Sequence, residues 1–127
     1  MIFAVDFDGT LVENAYPNIG YPHKEVIEFF KDRQKKGDVI ILWTCRTGKH
    51  LEDAVKFISL LGLTPDYVNE NAPWDKDLYP VESRKIGADY YIDDKAISVY
   101  NIAELTRILE RQDSLRNNKD ESRNNTL

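Results

Sequence analysis

The run Met1-Ile2-Phe3-Ala4-Val5 passes directly into Asp6-Phe7-Asp8-Gly9-Thr10. Five consecutive apolar residues without helical spacing suit a short strand buried on both faces, and such strands belong to parallel sheets covered by helices. A strand that ends near Asp8 would turn Asp6 and Asp8 to the same side, since side chains two positions apart share one face of extended chain. Gly9 then permits a sharp turn, and the Thr10 hydroxyl is expected to bond local backbone. Two carboxylates crowded together raise a pKa or recruit a cation, and Mg²⁺, which prefers carboxylate and phosphate oxygens, is the natural guest.

The rest of the chain repeats this pattern. Residues 12–22 carry two prolines, a glycine and two tyrosines, and suit an ordered loop beside the turn. From Pro22 to Lys36 the spacing predicts a helix with Val26, Ile27, Phe29 and Phe30 on its apolar face. Val39 to Trp43 reads as a second buried strand, and Thr44-Cys45-Arg46-Thr47-Gly48 begins where it ends. A helix follows from about His50 to Leu61, with Leu51, Ala54, Val55, Ile58 and Leu61 on one face. Asp66 to Asn69 is a short strand, Glu70 to Pro80 a polar loop, and Val81 to Ile86 one or two helical turns. Ala88 to Ile92 is a further strand ending on Asp93-Asp94. Ile102, Leu105, Ile108 and Leu109 give a last amphipathic helix that ends near Glu110.

Strands alternating with helices predict a doubly wound, Rossmann-like three-layer α/β/α sandwich with a mainly parallel sheet. Ligands of such sheets bind beyond the carboxyl ends of the strands, where three polar clusters fall here: Asp6 with Asp8, Thr44 with Arg46, and Asp93 with Asp94. At 127 residues the chain fits one domain, expected over 1–111, with a polar, disordered tail over 112–127. The net charge of −5 and pI near 5.0 leave no basic footprint for non-specific nucleic-acid binding. Cys45 is the only cysteine, so no intrachain disulfide forms and a reducing compartment is the simplest assumption. Neither a membrane-length apolar stretch nor a charged-then-apolar leader occurs, and a cytoplasmic protein is expected.

The ordered set of motifs resembles the haloacid dehalogenase (HAD) superfamily of phosphohydrolases in its capless form, over residues 1 to about 110. Asp6-Phe7-Asp8-Gly9-Thr10 matches the first family motif, Asp-x-Asp-x-Thr, in full. Thr44 stands where the second keeps a Ser or Thr, Lys85 where the third keeps its lysine with Arg84 as rival, and Asp93-Asp94 matches the acidic pair of the fourth. The resemblance implies a Mg²⁺-dependent phosphatase. Asp6 would be the nucleophile that forms an aspartyl-phosphate, and Asp8 the general acid and then base. The metal would be held by Asp6, the Asp8 backbone carbonyl and Asp93, with Asp94 as a direct or water-mediated ligand. Thr44, Lys85 and backbone N–H groups after Asp6, around Phe7 and Gly9, would hold phosphoryl oxygens, and Arg46 would grip a second anionic group of the substrate.

Taken singly, each residue has a plainer reading. Thr44 suits a turn, Lys85 a solvated helix, Asp94 a helix cap and Arg46 a surface ion pair. Cys45 is read as a small buried residue, because a thiolate phosphatase needs an arginine where Leu51 stands. His23 and His50 mark helix starts, and Asn69, Asn71, Trp74 and Tyr79 lie near the site as candidate substrate contacts. No cap domain fits between Asp8 and Thr44 or between Thr44 and Lys85. An open site suits a bulky phosphorylated substrate, unless a second copy of the chain in a homo-oligomer, or the Tyr16 to Tyr21 loop, covers it. Two other classes remain beside the phosphatase: a phosphoryl-accepting signalling module and a binding protein without turnover. Receiver modules carry the adjacent acidic pair first and the acceptor later, the reverse of the order here.

Overall fold

The computed structural model describes residues 1–74 and 84–125. It divides into two units, Met1–Asp94 and Lys95–Leu127. The first is an α/β fold with four parallel strands: β1 (Ile2–Val5), β2 (Val39–Leu42), β3 (Tyr67–Val68) and β4 (Tyr90–Ile92), in the order β3-β2-β1-β4. Helix α1 (Lys24–Lys35) links β1 to β2, and α2 (Gly48–Leu60) links β2 to β3.

Alternation within the strands decides the layers. Phe3 and Val5 of β1 and Ile40 and Leu42 of β2 share one core with Ile27 and Phe30 of α1 and Ala54 and Ile58 of α2. Each large side chain so buried contributes about 1.5–3 kcal/mol. The opposite face presents Ala4 and Ile41, covered by Ile86, with Trp43, Tyr67 and Ala88 beside them. Phe3, Ala4 and Val5 are thus buried between the two faces, as a continuous apolar run requires, while Met1 at its start is exposed.

Several boundaries differ from the sequence reading. Helix α1 begins at Lys24, after Pro22, and Phe29 lies outside its buried stripe, 53% exposed. It ends before Gly37, whose φ of +95° a residue with Cβ resists. Helix α2 starts already at Gly48 and leaves Leu61 as its C-cap. Of the helical turns expected over Val81 to Ile86, the first three residues lie outside those described, and residues 84–86 are not helical.

In the second unit a 3₁₀ turn (Val99–Asn101) leads into α3 (Ile102–Asn125). The helix therefore runs past Glu110 through the segment read as a disordered tail. Arg111, Gln112, Leu115, Arg116, Lys119, Glu121 and Arg123 favour a helix there on intrinsic propensity, against eight Asn, Asp and Ser residues that do not. Residues 111–119 are exposed, so burial does not carry this stretch.

Candidate functional site

The strand order places a switch between β1 and β4: after β1 the chain moves to β2 and β3 on one side, then returns to β4 on the other. The crevice beyond the carboxyl ends of two such strands is where open α/β sheets bind ligands. Asp6 follows β1 and its N–H donates to Ile92 O at 2.9 Å, carrying the ladder one residue beyond the strand. Asp93 and Asp94 follow β4 directly. One carboxylate oxygen from each of Asp6, Asp93 and Asp94 lies within 4.8 Å of the others.

Burial drives the Asp6 pKa up to about 6. The Phe7 N–H, bonded to the Asp6 carboxylate, pulls the other way, while the charges of Asp93, Asp94 and Asp8 push upward. An acidic cluster of this kind offers only hard oxygen donors, a set that suits Mg²⁺ or a similar divalent cation.

A tight turn sets the cluster. The N–H groups of Thr10, Leu11 and Val12 all point to Phe7 O, at 3.2, 3.0 and 3.3 Å. Gly9 sits at φ +87°, and a Cβ there would run into the Asp94 carboxylate. The Thr10 hydroxyl accepts from Asp94 N–H at 3.1 Å, so it ties β4 to the turn rather than bonding locally as expected. His23 Nδ1 lies 2.8 Å from Thr10 O; a carbonyl only accepts, so Nδ1 carries the proton. His23 is at a helix start, as the N-cap of α1, but its ring braces the turn and not the helix.

Asp8 and Arg46 depart most from expectation. The strand stops at Val5, so Asp6 and Asp8 are not both extended, and the Asp8 side chain joins Arg46 instead of the acidic cluster. Arg46 Nε donates to Asp8 Oδ2 at 2.8 Å and Nη2 to Oδ1 at 2.7 Å. Its remaining donors reach Pro17 O (3.2 Å), His50 O (3.3 Å) and Asn18 O (2.9 Å). All five guanidinium N–H groups are used within the protein, and the side chain is 1% exposed. Arg46 is thus a buried strut, not the external anion grip expected of it. Its guanidinium lies over the rings of Phe7 and Tyr16, 4.9 and 5.1 Å from their centroids. The Phe7 side chain is wholly buried in the core, leaving only its backbone at the turn.

The remaining sequence candidates fall as follows. The Thr44 hydroxyl accepts from Arg46 N–H at 3.1 Å, and Thr44 N–H donates to Asn69 Oδ1 at 2.8 Å. Lys85 stands over the Tyr91 ring, 5.1 Å from its centroid, and Arg84 beside it is exposed. Cys45 is exposed, not buried, because it occupies the loop between Thr44 and Arg46. Asn69 and Asn71 serve the scaffold: Asn71 Oδ1 accepts from Gly87 N–H at 2.6 Å. Trp74 packs edge-on against Tyr67, and Tyr79 lies outside the described residues. The contacts that sequence reasoning missed, His23 to Thr10 and Thr10 to Asp94, join residues distant in the chain and leave no local signal.

No family model matches the chain, and no curated protein is significantly similar to it. Among solved structures it is similar to a conserved protein from Bacteroides thetaiotaomicron, 33% identical, with a TM-score of 0.68 over 88% of this chain and 91% of that one. Fold and site together define an α/β protein with an acidic cluster at the switch of a parallel sheet. At that identity and coverage the chain belongs to the family of the conserved Bacteroides protein. Among the described residues no helix is long and apolar enough to cross a membrane.

Proposed function

We propose that the protein is a Mg²⁺-dependent phosphohydrolase that cleaves phosphate monoesters through an aspartyl-phosphate on Asp6, in the manner of the HAD-type phosphatases its motifs resemble. The observation that carries this reading is the gathering of Asp6, Asp93 and Asp94 at the carboxyl ends of β1 and β4. Those three carboxylates would hold the cation. When bound, Mg²⁺ supplies the positive charge that screens an anionic ester from an anionic nucleophile.

The protein's own groups do the rest. An Asp6 carboxylate oxygen attacks phosphorus as the ester P–O bond breaks, and Asp8 gives its proton to the departing oxygen. Asp8 then takes a proton from the water that hydrolyses the acyl phosphate, releasing phosphate and restoring Asp6. Burial that holds the Asp6 pKa near 6 still leaves it largely ionised at neutral pH. The Thr44 hydroxyl and the Lys85 ammonium are the proposed partners of the phosphoryl oxygens.

Between Asp8 and Thr44 stand only the 12–22 loop, α1 and β2, and between Thr44 and Trp74 only α2 and β3. With no domain inserted in those stretches, the proposed substrates include bulky phosphorylated molecules. Acid quench during turnover followed by borohydride reduction tests the intermediate, because it converts an acyl phosphate on Asp6 to homoserine. Homoserine at position 6 in peptide mass spectra is the expected result; an unmodified Asp6 under rapid turnover would move the nucleophile elsewhere.

A further inference from the structure

Arg46 joins two parts of the molecule that the proposed chemistry needs to coordinate. One side of its guanidinium holds both oxygens of Asp8 in a bidentate fork. The other side holds the carbonyls of Pro17 and Asn18, in the loop that leaves the first motif, and of His50 in α2. Tyr16 of the same loop stacks over the guanidinium and packs edge-on against His50, 5.6 Å between centroids. The loop closes on itself through Glu13 N–H to Tyr21 O at 2.8 Å. A planar cation with fixed donor directions cannot turn toward one set of acceptors without losing the other. Buried, it also cannot replace a lost partner with water, so each loss carries a full desolvation penalty.

We propose that Arg46 is a positioning residue that fixes the Asp8 carboxylate and mechanically couples it to the 13–21 loop, so that displacing the loop and reorienting Asp8 are one event. The coupling bears on the proposed reaction, on whose reading its kinetic consequence rests. Proton transfer to the leaving group asks one Asp8 oxygen to carry a proton while Arg46 donates to both. The fork must therefore slacken on one side, and a substrate pressing on the Tyr16 to Tyr21 loop shifts the same guanidinium. Substrate engagement at the loop thereby reaches the acid–base group.

Amide hydrogen exchange on the full chain tests the coupling without reference to activity. In Asp8→Asn one acceptor oxygen becomes an amide NH₂, which a donor-only guanidinium cannot pair with. Exchange over residues 13–21 should rise on the order of tenfold in Asp8→Asn and in Arg46→Lys, as loss of a charge-assisted bond implies. Strand β2 (Val39–Leu42) should exchange at the wild-type rate. A loop that exchanges as in the wild type when Asp8 is changed overturns the coupling. Steady-state kinetics test the positioning role. Arg46→Lys keeps the charge but loses the fork, and it should lower kcat on the order of 10- to 100-fold with KM within about threefold. Unchanged kcat overturns the positioning role. If the wild type hydrolyses no phosphate ester, the proposed function fails by itself, and the exchange comparison still decides the coupling.

Discussion

The Cα of Gly9 lies against the Asp94 carboxylate so closely that a Cβ at position 9 would overlap it. The same residue stands at φ +87°, which L side chains rarely adopt. Two independent constraints thus select glycine here, one from the turn and one from the acidic cluster. Gly9→Ala is expected to lower stability by about 1–3 kcal/mol in urea denaturation. It should also weaken Mg²⁺ binding by calorimetry, because Asp94 must move. Mg²⁺ binding at the wild-type level would separate Asp94 from the cation site.

Asp6 makes metal-free stability depend on pH in a direction the site fixes. Its folded pKa is raised from 3.8 to about 6, chiefly by burial, so between about pH 4 and 6 the native state binds more protons than the unfolded chain. Stability then falls as pH rises through that window, and the penalty is complete above about pH 6. After discounting for the partial exposure of Asp6, it amounts to about 1 kcal/mol. Asp6→Asn, which does not titrate, should gain about that much over wild type at pH 7.5 in chelator and nothing near pH 4. Urea curves whose difference is the same at both pH values would contradict the raised pKa. If Mg²⁺ occupies the proposed site, its affinity should climb with pH through about 6, since cation and proton would compete for Asp6.

Asn69 holds the end of β2 from outside the strand. It sits at φ +53°, its N–H donates to Leu42 O at 2.8 Å, and its Oδ1 accepts from Thr44 N–H at 2.8 Å. Asn69→Ala loses the side-chain bond and places alanine in a left-handed conformation, so a loss of about 1–2 kcal/mol is expected by urea titration. Asn69→Gly relieves the backbone but not the missing acceptor and should recover part of that loss. Equal losses in the two variants would assign the whole cost to the hydrogen bond.

The sheet was legible because its strands are short apolar runs that stop at polar residues: Val5 before Asp6, Leu42 and Trp43 before Thr44, Ile92 before Asp93. Helix α2 was legible from the spacing of Leu51, Ala54, Val55 and Ile58. The gathering of Asp6 with Asp93 and Asp94 followed from the rule for strand ends, which needs only the alternation of elements. Arg46 was misread because its environment is tertiary. An arginine in a polar loop looks solvated until the carbonyls of Pro17 and Asn18, far from it in sequence, close around it. Asp8 was misdirected for the same reason, since its partner lies in a different loop. The far half of α3 escaped notice because hydrophobic periodicity detects buried helix faces, and residues 111–119 have none to show.

Phosphate release tests the central claim most directly. Wild type and Asp6→Asn are compared side by side on an aryl phosphate and a panel of metabolite and macromolecular phosphomonoesters, each with Mg²⁺ and with chelator. Turnover by the wild type that requires Mg²⁺, and that falls by three or more orders of magnitude (~10³) in a folded Asp6→Asn, is expected of a carboxylate nucleophile beside a cation. Release that persists in chelator, or in Asp6→Asn at near wild-type rate, would contradict a phosphatase built on this acidic cluster.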